Sequence, residues 1–225
     1  MLKILIYRIV FLTLIWQQCL SSFADEVSYV DCKKSNILNV IYYFTDNEVS
    51  DAILSSENVI HSCPYQENII DIKVLHIFFK YIHKDYEEID DLVVNFQKLY
   101  PYNHNIPYLL YIQGLGKVKT VSSYKKNIKD IFNAKKIFLS LKTKYPNSPY
   151  FEFANQQLKY IDDQIMLFHL SIADFYYDRR LMTSALKKYQ DILQDQSAGI
   201  SVNDKAFVED RIFNIINNVI IVPKM

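Results

Sequence analysis

Three prolines set the frame of this chain. Pro64, Pro101 and Pro146 each stand twelve residues after a small or compact residue that opens an apolar stripe: Ala52, Ile89 and Ala134. Proline cannot continue a helix, because it lacks the N–H and its ring clashes with the preceding turn. Each proline therefore closes an amphipathic segment. The stripes have apolar residues three and four apart, the period of a helix with one face to bury. Ile89, Leu92, Val93, Phe96 and Leu99 make one stripe, and Ala134, Ile137, Phe138 and Leu141 another. Ala185, Tyr189, Ile192 and Leu193 make one more, which fades at Ser197 without a proline. The anchors lie 37, 45 and 51 residues apart. Each compact anchor lets two helices approach. The residues four and seven later fill the contact: Ser56 and Val59, Val93 and Phe96, Phe138 and Leu141, Tyr189 and Ile192. An aromatic helix lies upstream, ending near Tyr42-Tyr43-Phe44, Phe78-Phe79 and Tyr176-Tyr177.

Composition removes the competing classes. With 3 Gly and 6 Pro in 225 residues, the chain cannot supply the turns of a many-stranded sheet or a Gly-rich phosphate loop. Lys+Arg 25 against Asp+Glu 25 removes the electrostatic case for nucleic-acid binding. The prediction is an all-α fold: a tetratricopeptide-like helix–turn–helix solenoid. Its repeats span about 36–64, 67–101, 105–146 and 149–197, with a partial last repeat at 200–222, in one domain over 36–225. The 45-residue spacing predicts an insertion at 117–128. The 51-residue spacing predicts one long helix joining two halves. Ser148 would cap it, Pro149 would take the first helical position, and it would run from Tyr150 to about Tyr177.

The N-terminus reads as an export signal over 1–24. Lys3 and Arg8 precede the apolar run Ile9–Trp16, and Ser22-Phe23-Ala24 offers a cleavage site before a short linker at 25–35. The apolar stretch is shorter than the ~20 residues a spanning helix needs. Cys19 follows Gln17-Gln18, whereas a lipid-attachment cysteine follows a small residue. Cleavage after Ala24 is the reading, and lipidation at Cys19 is the alternative. Cys32 and Cys63 remain in the mature chain. Antiparallel pairing of the first two helices puts them at the same end. Either a bridge, closing a loop worth about 3–4 kcal/mol in the chain-entropy model, or two separate thiols would fit.

No catalytic constellation or cofactor motif stands out, so an enzyme is not expected. His76 and His83, seven apart, read as ordinary helix-surface histidines rather than as a metal pair, which on a helix takes spacings of three or four. Charge is clustered: nine lysines and one acid, Asp130, lie between Lys117 and Lys144, and five acids with no base lie between Asp85 and Asp91. These are either solvated faces or a basic docking surface for an acidic partner or lipid headgroups. In tetratricopeptide folds the first helix of each pair lines a groove. The positions eleven and eight before the anchors are Ile41 and Phe44, then Phe78 and Tyr81. They are either groove residues or core aromatics.

Tyr145-Pro146-Asn147-Ser148-Pro149-Tyr150, followed by Ala154, Leu158, Ile161, Asp162 or Asp163, Ile165 and Tyr176-Tyr177-Asp178-Arg179-Arg180, resembles the BamD family of outer-membrane assembly lipoproteins. Ile106–Leu115 and Asp85-Tyr86-Glu87-Glu88 are similar to the same family, and the resemblance covers roughly 36–196. It implies a non-enzymatic scaffold at the periplasmic face of the outer membrane of a Gram-negative cell. Such a scaffold docks the periplasmic domains of an Omp85-type (BamA-type) barrel protein and receives nascent outer-membrane proteins. It needs no cofactor and touches the membrane peripherally or through a lipid anchor. The alternative is a periplasmic tetratricopeptide adaptor of another cell-envelope complex.

Overall fold

The computed structural model describes residues 35–120, 128–195 and 200–220. The segments 1–24 and 25–35 read from the sequence, Cys19 and Cys32 included, lie outside these except for Ser35. All regular structure among the described residues is helical. In chain order the helices are α1 (Ser35–Thr45), α2 (Val49–Ser62), α3 (Ile69–His83), α4 (Tyr86–Leu99) and α5 (Ile106–Thr120). They continue with α6 (Ile128–Lys144), α7 (Phe151–Asp178), α8 (Met182–Gln194) and α9 (Val202–Ile220). Each helix packs against the next, and α3 also touches α5, so first helices of successive pairs form one layer.

All four anchors and the eight residues assigned to fill their contacts are buried. Ala52, Ala134 and Ala185 have no exposed surface, nor do Ser56, Val93, Phe138, Leu141 and Tyr189. The pattern follows from geometry: a helix brings positions i, i+4 and i+7 onto one face. That face meets its partner helix where alanine permits close approach.

Two turn designs alternate along the solenoid. Within a pair, the chain reverses through a left-handed residue at Asn47, Lys84 or Arg180. At each, two N–H groups reach back to the helix end. Lys84 N–H donates to Tyr81 O at 3.1 Å and Asp85 N–H to Lys80 O at 2.9 Å, and the same pattern recurs at 47–48 and 180–181. This satisfies carbonyls that the helix end would leave unpaired. Between pairs, Gln66, Asn103 and Ser148 donate to the carbonyls of Cys63, Tyr100 and Tyr145, each three residues back, at 3.0–3.1 Å. Pro64, Pro101 and Pro146 occupy the second position of these turns, where a fixed φ suits them.

Two sequence expectations are corrected. Helix α7 starts at Phe151, not at Pro149. Ser148 accepts the Tyr150 N–H at 3.2 Å and so stabilises the inter-repeat turn rather than capping the helix. The insertion expected at 117–128 is partly helical, because α5 continues to Thr120. Its remainder, 121–127, lies outside the described residues.

Three apolar cores succeed one another. The first joins α1–α3 around Val40, Ala52 and Phe79. The second joins α3–α7 around Val93, Leu109 and Phe138. The third joins the end of α7 to α8 and α9 around Ala173, Tyr189 and Val208. Helix α7 gives Ala154, Leu158, Ile161 and Ile165 to the second core and Met166 and Ala173 to the third. It is the joint between halves.

Candidate protein-docking surface

The first-helix layer carries most of the aromatic contacts. Phe44 on α1 meets Phe78 on α3 edge-on, with ring centroids 5.6 Å apart, and Phe79 at 5.0 Å. Tyr81 on α3 packs against Tyr86 at 5.7 Å. Farther along, Tyr111 on α5 stacks on Tyr150 at 5.6 Å and approaches Phe153 on α7 at 6.0 Å, while Tyr108 meets Tyr150 at 5.5 Å. A concave pocket of about 540 Å³ opens beside this cluster, lined by Pro107, Tyr108, Tyr145, Pro146, Pro149 and Tyr150. Burial, with Tyr150 and Tyr81 nearby, pushes the Tyr108 hydroxyl up to about 12. Burial also raises Tyr81 and Tyr111. These hydroxyls stay neutral near pH 7 and can donate or accept a hydrogen bond at the edge of an apolar surface.

The four residues picked from the sequence divide. Phe44 and Phe78 are brought together, half-buried, on the first core. Tyr81 is half-buried on the second core. Ile41 is exposed. The proline register explains the division. Phe78, Leu115 and Tyr160 each stand fourteen residues after a proline, and Tyr81 and Val118 seventeen after one; counted back from Pro64 and Pro101, Ile41 matches Phe78 and Phe44 matches Tyr81. All three of the second series are half-buried and lean on a core. The first series has members open at both ends, with Ile41 at 41% and Tyr160 at 48%. Counting back from the anchors could not find Leu115 or Tyr160. The long segment before Ala134 and the long helix α7 break that count.

Cys63 is buried and disulfide-bonded. Both other cysteines, Cys19 and Cys32, lie outside the described residues.

His76 is not a surface histidine. It is buried between α2 and α3, with Nδ1 2.9 Å from Ser56 Oγ. The Ser56 hydroxyl donates to the Ile53 carbonyl at 2.8 Å, so Nδ1 carries the proton and donates to Ser56. A serine at the fourth position of an anchor stripe was the available signal. Its partner, twenty residues on, was not. Burial holds His76 below the usual histidine range; Lys80 and His61 add to this, and Glu57 and Glu88 oppose it. Below pH 6.5 the unfolded chain takes up this proton before the folded one does. Stability contributed here is therefore full above pH 6.5 and is lost as pH falls toward the folded value. The melting temperature should drop between pH 6.5 and 5, and His76→Gln should flatten that slope. An unchanged slope in the variant would assign the acid sensitivity elsewhere. His83 is exposed and sits 3.0 Å from Asp85.

The acidic run of 85–91 is largely consumed inside the fold. Lys80 bonds Glu88 at 2.7 Å and Asp85 at 3.7 Å. Burial alone would lower Lys80, but Glu88 and Asp85 outweigh it and hold its ammonium up. Asp90 takes Lys117 and, at 3.1 Å, Gln113. Lys135 bonds Asp162 at 2.7 Å. Lys80 thus ties the two helices of one pair together, and Lys117 and Lys135 fasten neighbouring pairs to each other. Among the described residues no cluster of histidine, cysteine and acidic side chains could hold a metal ion. No helix there is long and apolar enough to cross a membrane.

The sequence has counterparts among known proteins. The family model YfiO, described as outer membrane lipoprotein, matches residues 44–211. A Buchnera aphidicola protein named outer membrane protein assembly factor BamD is 29% identical over 140 residues, covering 57% of this chain and 55% of that protein. Proteins of the same name from Pasteurella multocida and Rickettsia prowazekii are 28% identical over 131 residues and 20% identical over 137. These alignments cover 52% and 61% of this chain, and 49% and 55% of the respective relatives. The chain spans about half the length of the curated relatives it matches.

Proposed function

Because the chain belongs to the YfiO outer membrane lipoprotein family, whose model matches 44–211, we propose that it is a scaffold of outer-membrane β-barrel protein assembly. It works without catalysis, at the periplasmic face of the outer membrane. It docks the periplasmic domains of an Omp85-type barrel protein and receives nascent barrel proteins along its first-helix layer. The observation that carries the receiving role is the apolar series running from Ile41 and Phe78 past the rings of Tyr108 and Tyr111 to Tyr150, Phe153 and Tyr160. An unfolded barrel strand alternates apolar and polar residues, and a row of half-buried rings offers it a face for alternate side chains. Rings lose little entropy on binding, and neutral tyrosine hydroxyls can bond a peptide backbone. Export supplies the oxidising conditions for the disulfide at Cys63, with Cys32 its proposed partner, and Cys19 or a peripheral contact holds the scaffold near the membrane.

The test has two arms. Mixed with the soluble periplasmic domains of the same organism's Omp85-type protein, the chain should co-elute from a sizing column. No complex at high micromolar concentration, with a folded helical chain, would move the assignment to an adaptor of another envelope complex. In the second arm, a peptide of alternating apolar residues copied from the last strand of an outer-membrane barrel protein should bind. Ile41→Glu combined with Tyr160→Glu, both at exposed positions, should weaken that binding by about tenfold or more, roughly the loss of two modest hot spots. Unchanged affinity would remove the aromatic row from the receiving role.

A further inference from the structure

Helix α6 presents a second surface, on the side opposite its core. Ile131, Ala134, Phe138 and Leu141 point inward and are fully buried. Lys129, Phe132, Lys136, Leu139 and Thr143 point outward and are exposed, Phe132 at 39% and Leu139 at 44%. At 3.6 residues per turn these five fall within an arc of about 80°. Lysines occupy one edge of the arc and large apolar side chains the other. Lys129 and Lys136 make no ion pair among the described residues, unlike Lys117 and Lys135. Lys144, exposed at the end of α6, adds a further positive charge to this helix. The neighbouring second helices lack this pairing of lysines with apolar side chains: α4 exposes Val94 beside Glu87, Asp91 and Lys98, and α8 exposes Lys187, Gln190 and Asp191.

We infer that the outward face of α6 is a docking surface for an anionic phospholipid leaflet. Charge complementarity selects an anionic occupant. Composition selects lipid over an acidic protein. The stretch 117–144 holds nine lysines and no arginine. Protein interfaces are enriched in arginine, whose planar fork suits fixed carboxylates, and depleted in lysine. Lysine is a mobile point charge that suits a fluid layer of phosphates. Interleaved Phe132 and Leu139 can enter the boundary between headgroups and acyl chains, while the lysine stems lie along it with their ammonium groups at the phosphates. The aromatic layer described above, borne on other helices, stays free for protein partners.

Flotation with vesicles tests this. The mature chain 25–225, which lacks the apolar leader and Cys19, is mixed with phosphatidylcholine vesicles with or without phosphatidylglycerol. It should bind only the anionic vesicles, and binding should fade in high salt as the charges are screened. Each lysine near an anionic surface is worth about fivefold in affinity. Lys129→Gln with Lys136→Gln should therefore weaken binding about 25-fold, and the Glu pair more, at an unchanged melting temperature. Lys187→Glu on α8 should have little effect. Equal binding to both vesicle types, full binding by the Gln pair, or an equal loss with Lys187→Glu would overturn the assignment. So would capture by polyglutamate with no vesicle binding, which would mark an acidic protein surface instead. None of these outcomes depends on the Omp85-type complex forming.

Discussion

A single methyl group added at Gly114 should unseat the centre of the molecule. Gly114 lies buried on α5, directly under the ring of Phe138 on α6. A Cβ at Gly114 would stand 2.5 Å from the ring's Cζ and 2.7 and 2.8 Å from its two Cε atoms. Phe138 has no exposed surface and Tyr111 packs at 6.0 Å, so the ring has nowhere to retreat. Alanine gains about 1 kcal/mol of helix propensity over glycine. Overpacking of a closed core costs about 1–3 kcal/mol and should win, because the obstacle is a rigid buried ring. Gly114→Ala should thus lower stability in a urea titration, and Gly114→Leu should lower it further. Phe138→Ala alone should cost about 3–5 kcal/mol. Shrinking the ring should also make the alanine tolerable: Gly114→Ala with Phe138→Leu should cost less than the sum of the two single changes by at least about 0.5 kcal/mol, as expected for residues in contact. Strict additivity would mean that the two helices part more easily than this packing implies.

Removing Tyr189 should melt one end and leave the other standing. Tyr189 is fully buried in the third core, and its hydroxyl donates to Asp174 at 2.5 Å. Burial, followed by that acceptor, drives its hydroxyl strongly upward, so it remains protonated. Tyr177 packs beside it at 6.5 Å, and Arg211 of α9 lies over Tyr177 at 4.4 Å. Truncating a buried ring to alanine costs about 3–5 kcal/mol. In a solenoid each repeat touches mainly its neighbours, so the loss stays local. Tyr189→Ala should show an early thermal transition carrying the helical signal of α8, α9 and the end of α7. A later transition should keep the wild-type midpoint. Tyr189→Phe should cost less, about 1–3 kcal/mol, for leaving Asp174 without its donor. One cooperative transition at a lower temperature would instead show that α7 couples the two halves rigidly.

The contrast between these substitutions mirrors how much of the molecule could be read in advance. The proline phase gave away the helix pairs because periodicity and a missing N–H are properties of a residue and its chain neighbours. Ala52, Ala134 and Ala185 sit at helix contacts for the same reason. The long joining helix was legible to within a residue at each end from its unbroken pattern between Pro149 and Tyr177. The fault lay in its cap, since Ser148 serves the turn before it. The candidate surface was only half legible. Phe78 and Ile41 followed from counting, but Leu115 and Tyr160 did not, because insertions shift the count without shifting the fold.

Local sequence therefore determined the helices, their stops, the buried stripes and the solenoid class, since each depends on spacing within some fifteen residues. Tertiary structure decided what the polar residues do. His76 became a buried donor to Ser56, Asp90 became the partner of Lys117 and Gln113, and the lysines of 117–144 divided into those that fasten repeats and those left facing out. A charge or a hydroxyl has no fixed role along the chain. Its free energy depends on desolvation and on a partner across space, and both are set only once the helices have packed.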